Sequence, residues 1–162
     1  MNNIYLIGMP GCGKSEISKR ISAALKIKRI DLDSLIEEKE NITISLIFEQ
    51  FGEEYFRDKE TYYLKSVSNE KNAIIATGGG IIKRQENIDI MKNTGEIIFI
   101  DTPVENILKN SQLKNRPLLA GNKEYIRVLY DERYDKYKQA ADVIVENTRD
   151  IKTAVNKILE KI

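Results

Sequence analysis

Histidine and tryptophan are missing from this 162-residue chain, and cysteine occurs once, as Cys12. A single cysteine excludes an internal disulfide. Together with the missing histidine it leaves oxygen donors for any metal, a set that suits Mg²⁺. Long apolar runs are lacking too: nothing approaches the ~20 apolar residues that cross a bilayer. The start, Met1-Asn2-Asn3-Ile4, lacks the basic and apolar regions of a secretory leader. A cytoplasmic protein with no membrane partner is therefore the expectation. Nor is there an excess of charge, since 26 Lys and Arg stand against 25 Asp and Glu, a net +1. No global field recruits nucleic acid, so an anion site has to be local, which argues for a small anionic substrate. Internal repeats, low-complexity tracts and Pro-, Gly- or Ser-rich linkers are absent as well.

What is present is enough apolar material, 41% of residues, for one domain over residues 1–162 with a sheet core covered on both faces. The run Gly8-Met9-Pro10-Gly11-Cys12-Gly13-Lys14-Ser15 fits G-x-x-x-x-G-K-[ST] at every fixed position. It sits between an apolar run, Ile4-Tyr5-Leu6-Ile7, and a segment with Ile17, Ile21, Ala24 and Leu25 at helical spacing. In that context loop amides wrap a β-phosphate, Lys14 reaches the β- and γ-phosphates, and the Ser15 hydroxyl takes a Mg²⁺ position. The helix dipole adds to the attraction. Gly11, Cys12, Gly13, Lys14, Ser15 and Glu16 are the nucleotide-binding candidates, and Cys12 reads as a small loop filler rather than a reactive thiolate.

Strand signals fall at residues 4–7, 28–32, 73–77, 96–100 and 142–145, with helical segments between them. That alternation predicts an α/β three-layer sandwich, a five-stranded parallel sheet flanked by helices. In the last helix Ile151, Ala154, Val155, Ile158, Leu159 and Ile162 form a stripe that reads as core packing. A polar interruption with breakers at its ends and middle runs from about residue 109 to 123, and suggests a lid over the phosphates.

Three further groups admit two readings each. Asp31 and Asp33 close the second strand; spacing of two puts both carboxylates on one side of an extended chain, where one could organise Mg²⁺ and the other accept a proton. They equally suit caps of the following helix. Thr77-Gly78-Gly79-Gly80 is either a turn or a backbone surface for an anion. Arg57 and Arg133 each sit among acids, where the local reading is a solvated ion pair. Arg116 differs: Pro117 restricts it, and it lies within the lid, from which an arginine can reach a transferring phosphoryl group.

Taken in order, these pieces resemble the shikimate kinase family over nearly the whole chain. The family's phosphate loop, D-x-D, F-R followed by E, G-G-G, R-P-L and R-x-x-x-Y are matched here. The matches are residues 8–15, Asp31 with Asp33, Phe56-Arg57 with Glu60, Gly78-Gly79-Gly80, Arg116-Pro117-Leu118, and Arg133 with Tyr137. The resemblance implies ATP-dependent phosphorylation of the shikimate 3-hydroxyl, giving shikimate 3-phosphate and ADP, on the chorismate route to aromatic amino acids. It implies an acceptor-binding segment near residues 32–60. It also implies that Asp33 acts as base or positioning group, and that Arg57, Arg133 and backbone at Gly78, Gly79 and Gly80 hold the shikimate carboxylate. Lys14 and Arg116 would neutralise the migrating phosphoryl, Asp31 and Ser15 would organise Mg²⁺, and the loop Asn147-Thr148-Arg149 would border adenine. Two departures stand out: Lys109 replaces a second lid arginine, and Asp135 replaces a proline common between the positions of Arg133 and Tyr137.

Two other classes compete. A gluconate or nucleoside monophosphate kinase shares the loop and lid but changes the acceptor pocket. A non-catalytic nucleotide switch is opposed by Lys14, Ser15 and Asp33 and by the lack of an N-K-x-D guanine motif. With no apolar stripe left over from the sheet, a monomer is the expectation.

Overall fold

The computed structural model describes residues 2–109 and 122–162. Residues 110–121, with Arg116 and most of the expected lid, lie outside the described residues. Five strands form one parallel sheet: β1 (Asn3–Ile7), β2 (Lys28–Asp31), β3 (Ala73–Ala76), β4 (Gly95–Asp101) and β5 (Val143–Glu146), ordered β2-β3-β1-β4-β5. β1 is buried along its whole length because helices cover both faces, so its apolar residues run on without alternation. Tyr5 pairs with Ile75 on one side and Ile97 on the other.

Between the strands lie α1 (Lys14–Leu25), α2 (Leu32–Glu40), α3 (Ile44–Phe51), α4 (Glu53–Ser68), a short 3₁₀ turn (Ile81–Lys83), α5 (Gln85–Thr94), α6 (Val104–Leu108), α7 (Lys123–Ala140) and α8 (Ile151–Leu159). All five expected strands are present within a residue or two of their expected bounds. α8 stops at Leu159, short of Ile162.

Strand order fixes where a ligand can sit. β1 connects past β3 to β2, whereas β3 connects past β1 to β4, so the two connections leave in opposite directions. Right-handed crossovers then put α1 on one face of the sheet and α4 and α5 on the other. Accordingly α1 packs with α8, and α4 with α5. Such a reversal opens a crevice beyond the carboxyl ends of β1 and β3. The segments leaving those ends are the phosphate loop and the Gly78-Gly79-Gly80 turn.

Candidate active site

The phosphate loop turns through glycines with positive φ, and at Gly13 (φ 101°) it hands over to α1, which starts without a side-chain cap. L side chains rarely take that conformation. Cys12 is buried, which suits a filler, and its carbonyl accepts from Thr102 Oγ1 and Asn147 Nδ2, both at 3.1 Å. Lys14 is folded inward: its Nζ donates to the carbonyls of Gly8 (2.6 Å) and Met9 (3.0 Å). These are weaker acceptors than a phosphate oxygen, so a nucleotide can draw the ammonium outward. Glu16 turns away and pairs with Arg20 at 2.8 Å, which leaves its backbone rather than its carboxylate for a nucleotide. Arg149 is exposed on the loop after β5; the contact from that loop to the phosphate loop is made by Asn147.

Ser15 Oγ donates to Asp31 Oδ2 at 2.7 Å, while Arg29 reaches the same oxygen at 3.4 Å and the Ser15 carbonyl at 3.2 Å. The expected extended pair Asp31 and Asp33 needs correcting. β2 ends at Asp31, whose side chain accepts from Ser34 N–H at 3.2 Å as the N-cap of α2, and Asp33 already lies in the helix. A carboxylate three residues before a free amide caps it more favourably than it extends a strand. Asp31 is thus a cap and a partner of Ser15, and Asp33 takes a separate direction. Asp33 Oδ1 lies so close to Gly78 that a Cβ there would be 2.7 Å from it.

A cleft of about 840 Å³ opens beside this point, lined among others by Asp33, Phe48, Arg57, Gly79 and Arg133. A small hollow between the phosphate loop and β2 is lined by Lys14, Ser15, Asp31 and again Asp33. Asp33 therefore borders both spaces, together with Ser15 and Asp31.

Arg57 is not solvated. It is 7% exposed, donates to Glu60 Oε1 at 2.8 Å, and reaches Glu53 at 3.4 Å. Its guanidinium presses against Gly80, where any Cβ would overlap it. The local reading as a surface pair fails because residues 53–68 form α4, with Phe56, Arg57, Glu60, Thr61 and Leu64 buried. Arg133, on α7, is half-buried, with Nη1 3.2 Å from where a Gly79 Cβ would stand. Two guanidinium groups thus flank the triple-glycine turn from two helices, and such forks suit a carboxylate. Asp135 is exposed, so the helix carries its charge away from the cleft.

Glu60 and Tyr137 were visible in the sequence only as motif letters. Glu60 is fully buried; Oε1 holds Arg57 and Oε2 accepts no hydrogen bond among the described residues. Burial pushes its carboxyl up to about 7, Asp33 adds to the rise, and Arg57 opposes it. Tyr137 is buried with its hydroxyl donating to the Gly79 carbonyl.

A parallel sheet with a phosphate loop at its topological switch point, opening into a cleft with a carboxylate and two arginines, defines a P-loop kinase of a small anionic acceptor. The family model described as shikimate kinase matches residues 10–162. The chain belongs to the shikimate kinase family. A shikimate kinase of Clostridium botulinum (strain Eklund 17B / Type B) is 51% identical over 157 residues, which are 97% of this chain and 94% of that protein. The bifunctional shikimate kinase/3-dehydroquinate synthase of Thermotoga maritima is 38% identical over 157 residues, 97% of this chain but 32% of that protein. The structure of shikimate kinase from Acinetobacter baumannii in complex with shikimate superposes with TM-score 0.93 at 35% identity, covering 99% of this chain and 92% of that one.

Proposed function

We propose that the hollow under the phosphate loop and the arginine-flanked cleft hold the two substrates of one phosphoryl transfer, meeting at Asp33. The chain is an ATP-dependent phosphotransferase that converts shikimate to shikimate 3-phosphate with release of ADP. The observation that carries the reading of the site is that Asp33 borders both spaces.

Loop amides and Lys14, drawn off the Gly8 and Met9 carbonyls, bind the β- and γ-phosphates. Arg57 and Arg133 hold the shikimate carboxylate against the backbone of Gly78, Gly79 and Gly80, which turns the 3-hydroxyl toward Asp33. Asp33 accepts the hydroxyl proton as the oxygen–phosphorus bond forms and the bond from the γ-phosphorus to the bridging oxygen of ADP breaks. Little covalent help is needed in so loose a transition state; placement and charge neutralisation dominate. Arg116, which lies outside the described residues, is assigned to that neutralisation.

Ser15 Oγ and Asp31 Oδ2, 2.7 Å apart, fit Mg²⁺, which takes one or two protein oxygens and completes its shell with water and phosphate. Among the described residues no cluster of three or more acidic, Cys or His ligands offers a dedicated cage, which agrees with that use. When bound, the ion would neutralise phosphate charge.

The working unit in this reading is a monomer of a single domain. α2, α3 and the first turns of α4 are its acceptor-binding segment, and residues around 109–123 its lid. No described helix is long and apolar enough to cross a membrane, and ATP as donor supports a cytoplasmic setting. The test is Mg·ATP-dependent ADP release with shikimate, gluconate and nucleoside monophosphates at matched concentrations. Shikimate-selective turnover is expected; equal turnover with gluconate would contradict the acceptor pocket assigned here.

A further inference from the structure

The three carbonyls of the glycine turn are held in two different ways. Those of Gly78 and Gly80 accept from backbone amides three residues on, Ile81 N–H at 3.2 Å and Lys83 N–H at 3.1 Å. The middle one, of Gly79, accepts from the Tyr137 hydroxyl at 2.5 Å. Tyr137 is 0% exposed, stacks on Phe99 of β4 (centroids 5.1 Å apart, 25° between planes), and brings its hydroxyl 3.9 Å from Met9 Sδ of the phosphate loop. One side chain on α7 therefore touches the sheet, the donor loop and the acceptor turn. It sits one helical turn from Arg133, whose guanidinium borders the same glycines.

We propose that Tyr137 is a positioning residue for the acceptor, acting through the Gly79–Gly80 peptide. No peptide bond among the described residues is cis. In a planar trans peptide the carbonyl of one residue and the N–H of the next point in opposite directions. With the Gly79 oxygen turned inward to Tyr137, the Gly80 N–H points away from it. Gly79 and Gly80 line the cleft, so that orientation is the one an anionic acceptor meets. Glycine has no side chain to lock this peptide, and a flip would carry the donor to the buried side. The Tyr137 hydroxyl opposes the flip, because the flip would take away the Gly79 oxygen and leave the buried O–H only the weak acceptor Met9 Sδ.

The proposal rests on the acceptor-site reading above, and the variants separate the two. Tyr137→Phe keeps the ring and its stack on Phe99 and removes the hydroxyl. The KM for shikimate should rise roughly 5- to 30-fold, with kcat and the KM for ATP within about 2-fold of the parent. Phe99→Leu keeps the hydroxyl and loses the stacked ring; it should lower the melting temperature and leave the shikimate KM within about 2-fold. Arg133→Ala should raise the shikimate KM in any case. An unchanged KM in Arg133→Ala would overturn the site reading and the proposal with it. A raised KM in Arg133→Ala beside an unchanged one in Tyr137→Phe would overturn the proposal alone, as would an equal rise in Phe99→Leu. If Tyr137→Phe does not fold, the Gly80 amide resonance of the parent protein decides: it must shift when shikimate is added, and a static resonance overturns the proposal.

Discussion

Glu60 is fully buried beside Arg57, and the chain has no histidine. The ordinary Glu60 value of 4.5 applies in the unfolded chain, whereas in the fold burial raises it to about 7. Between those values the folded protein holds a proton that the unfolded chain has released. The stability linked to this group is thus full below about pH 4.5 and is lost as pH rises through about 7, by roughly 3 kcal/mol in all. Denaturant unfolding across pH 5 to 8 should show that decline in the parent and a flatter profile in Glu60→Gln; parallel profiles would contradict it. Gly80→Ala probes the neighbouring contact. Its methyl would overlap an Arg57 guanidinium that Glu60 holds in place. A loss of about 1–3 kcal/mol in stability and a higher KM for shikimate are expected. Unchanged kinetics would remove Arg57 from the acceptor contacts.

α2 starts at a residue with two jobs. Asp31 caps its first turn through Ser34 N–H and receives the Ser15 hydroxyl. Asparagine keeps a capping oxygen and loses the charge, whereas alanine loses both. Asp31→Ala should cost about 0.5–2 kcal/mol in melts and Asp31→Asn little, while both weaken Mg·ADP binding. Equal stability losses would contradict the cap. This element also marks where the sequence was readable. The three central strands were, because parallel strands covered on both faces are near-continuous apolar runs bounded by Gly, Asp or Asn, whereas the edge strands β2 and β5 carry exposed residues and were legible from the alternation of strand and helix signals. The phosphate loop was, because its geometry depends on residues next to one another. The division of residues 32–68 into three helices was not resolved, nor was the switch of Asp31 from strand to cap. Arg57 looked solvated because its burial comes from the tertiary packing of α4 against α2, α3 and α5 and from the Gly80 turn, which local residue spacing does not reveal. The roles of Glu60, Tyr137 and Asn147 depend on contacts of the same kind. Nothing in their own neighbourhoods marks a carboxylate with one oxygen accepting no hydrogen bond among the described residues, a phenol on a glycine carbonyl, or an amide on the phosphate loop.

At the scale of the molecule, the reversal of strand order does the joining. The donor loop leaves β1 and the acceptor turn leaves β3, two neighbouring strands, while β2 ends beside them and delivers α2 with Asp33 into the gap. α7 crosses from the other side with Arg133 and Tyr137. The proposed donor and acceptor halves thus meet along Ser15, Asp31 and Asp33, and of the two carboxylates Asp33 is the one not engaged with Ser15. The most direct measurement is therefore Asp33→Asn, with calorimetric titration of ATP and of shikimate alongside single-turnover transfer. The account predicts that both ligands bind within about 10-fold of the parent while transfer falls by about 10²- to 10⁴-fold. Near-normal transfer would contradict it.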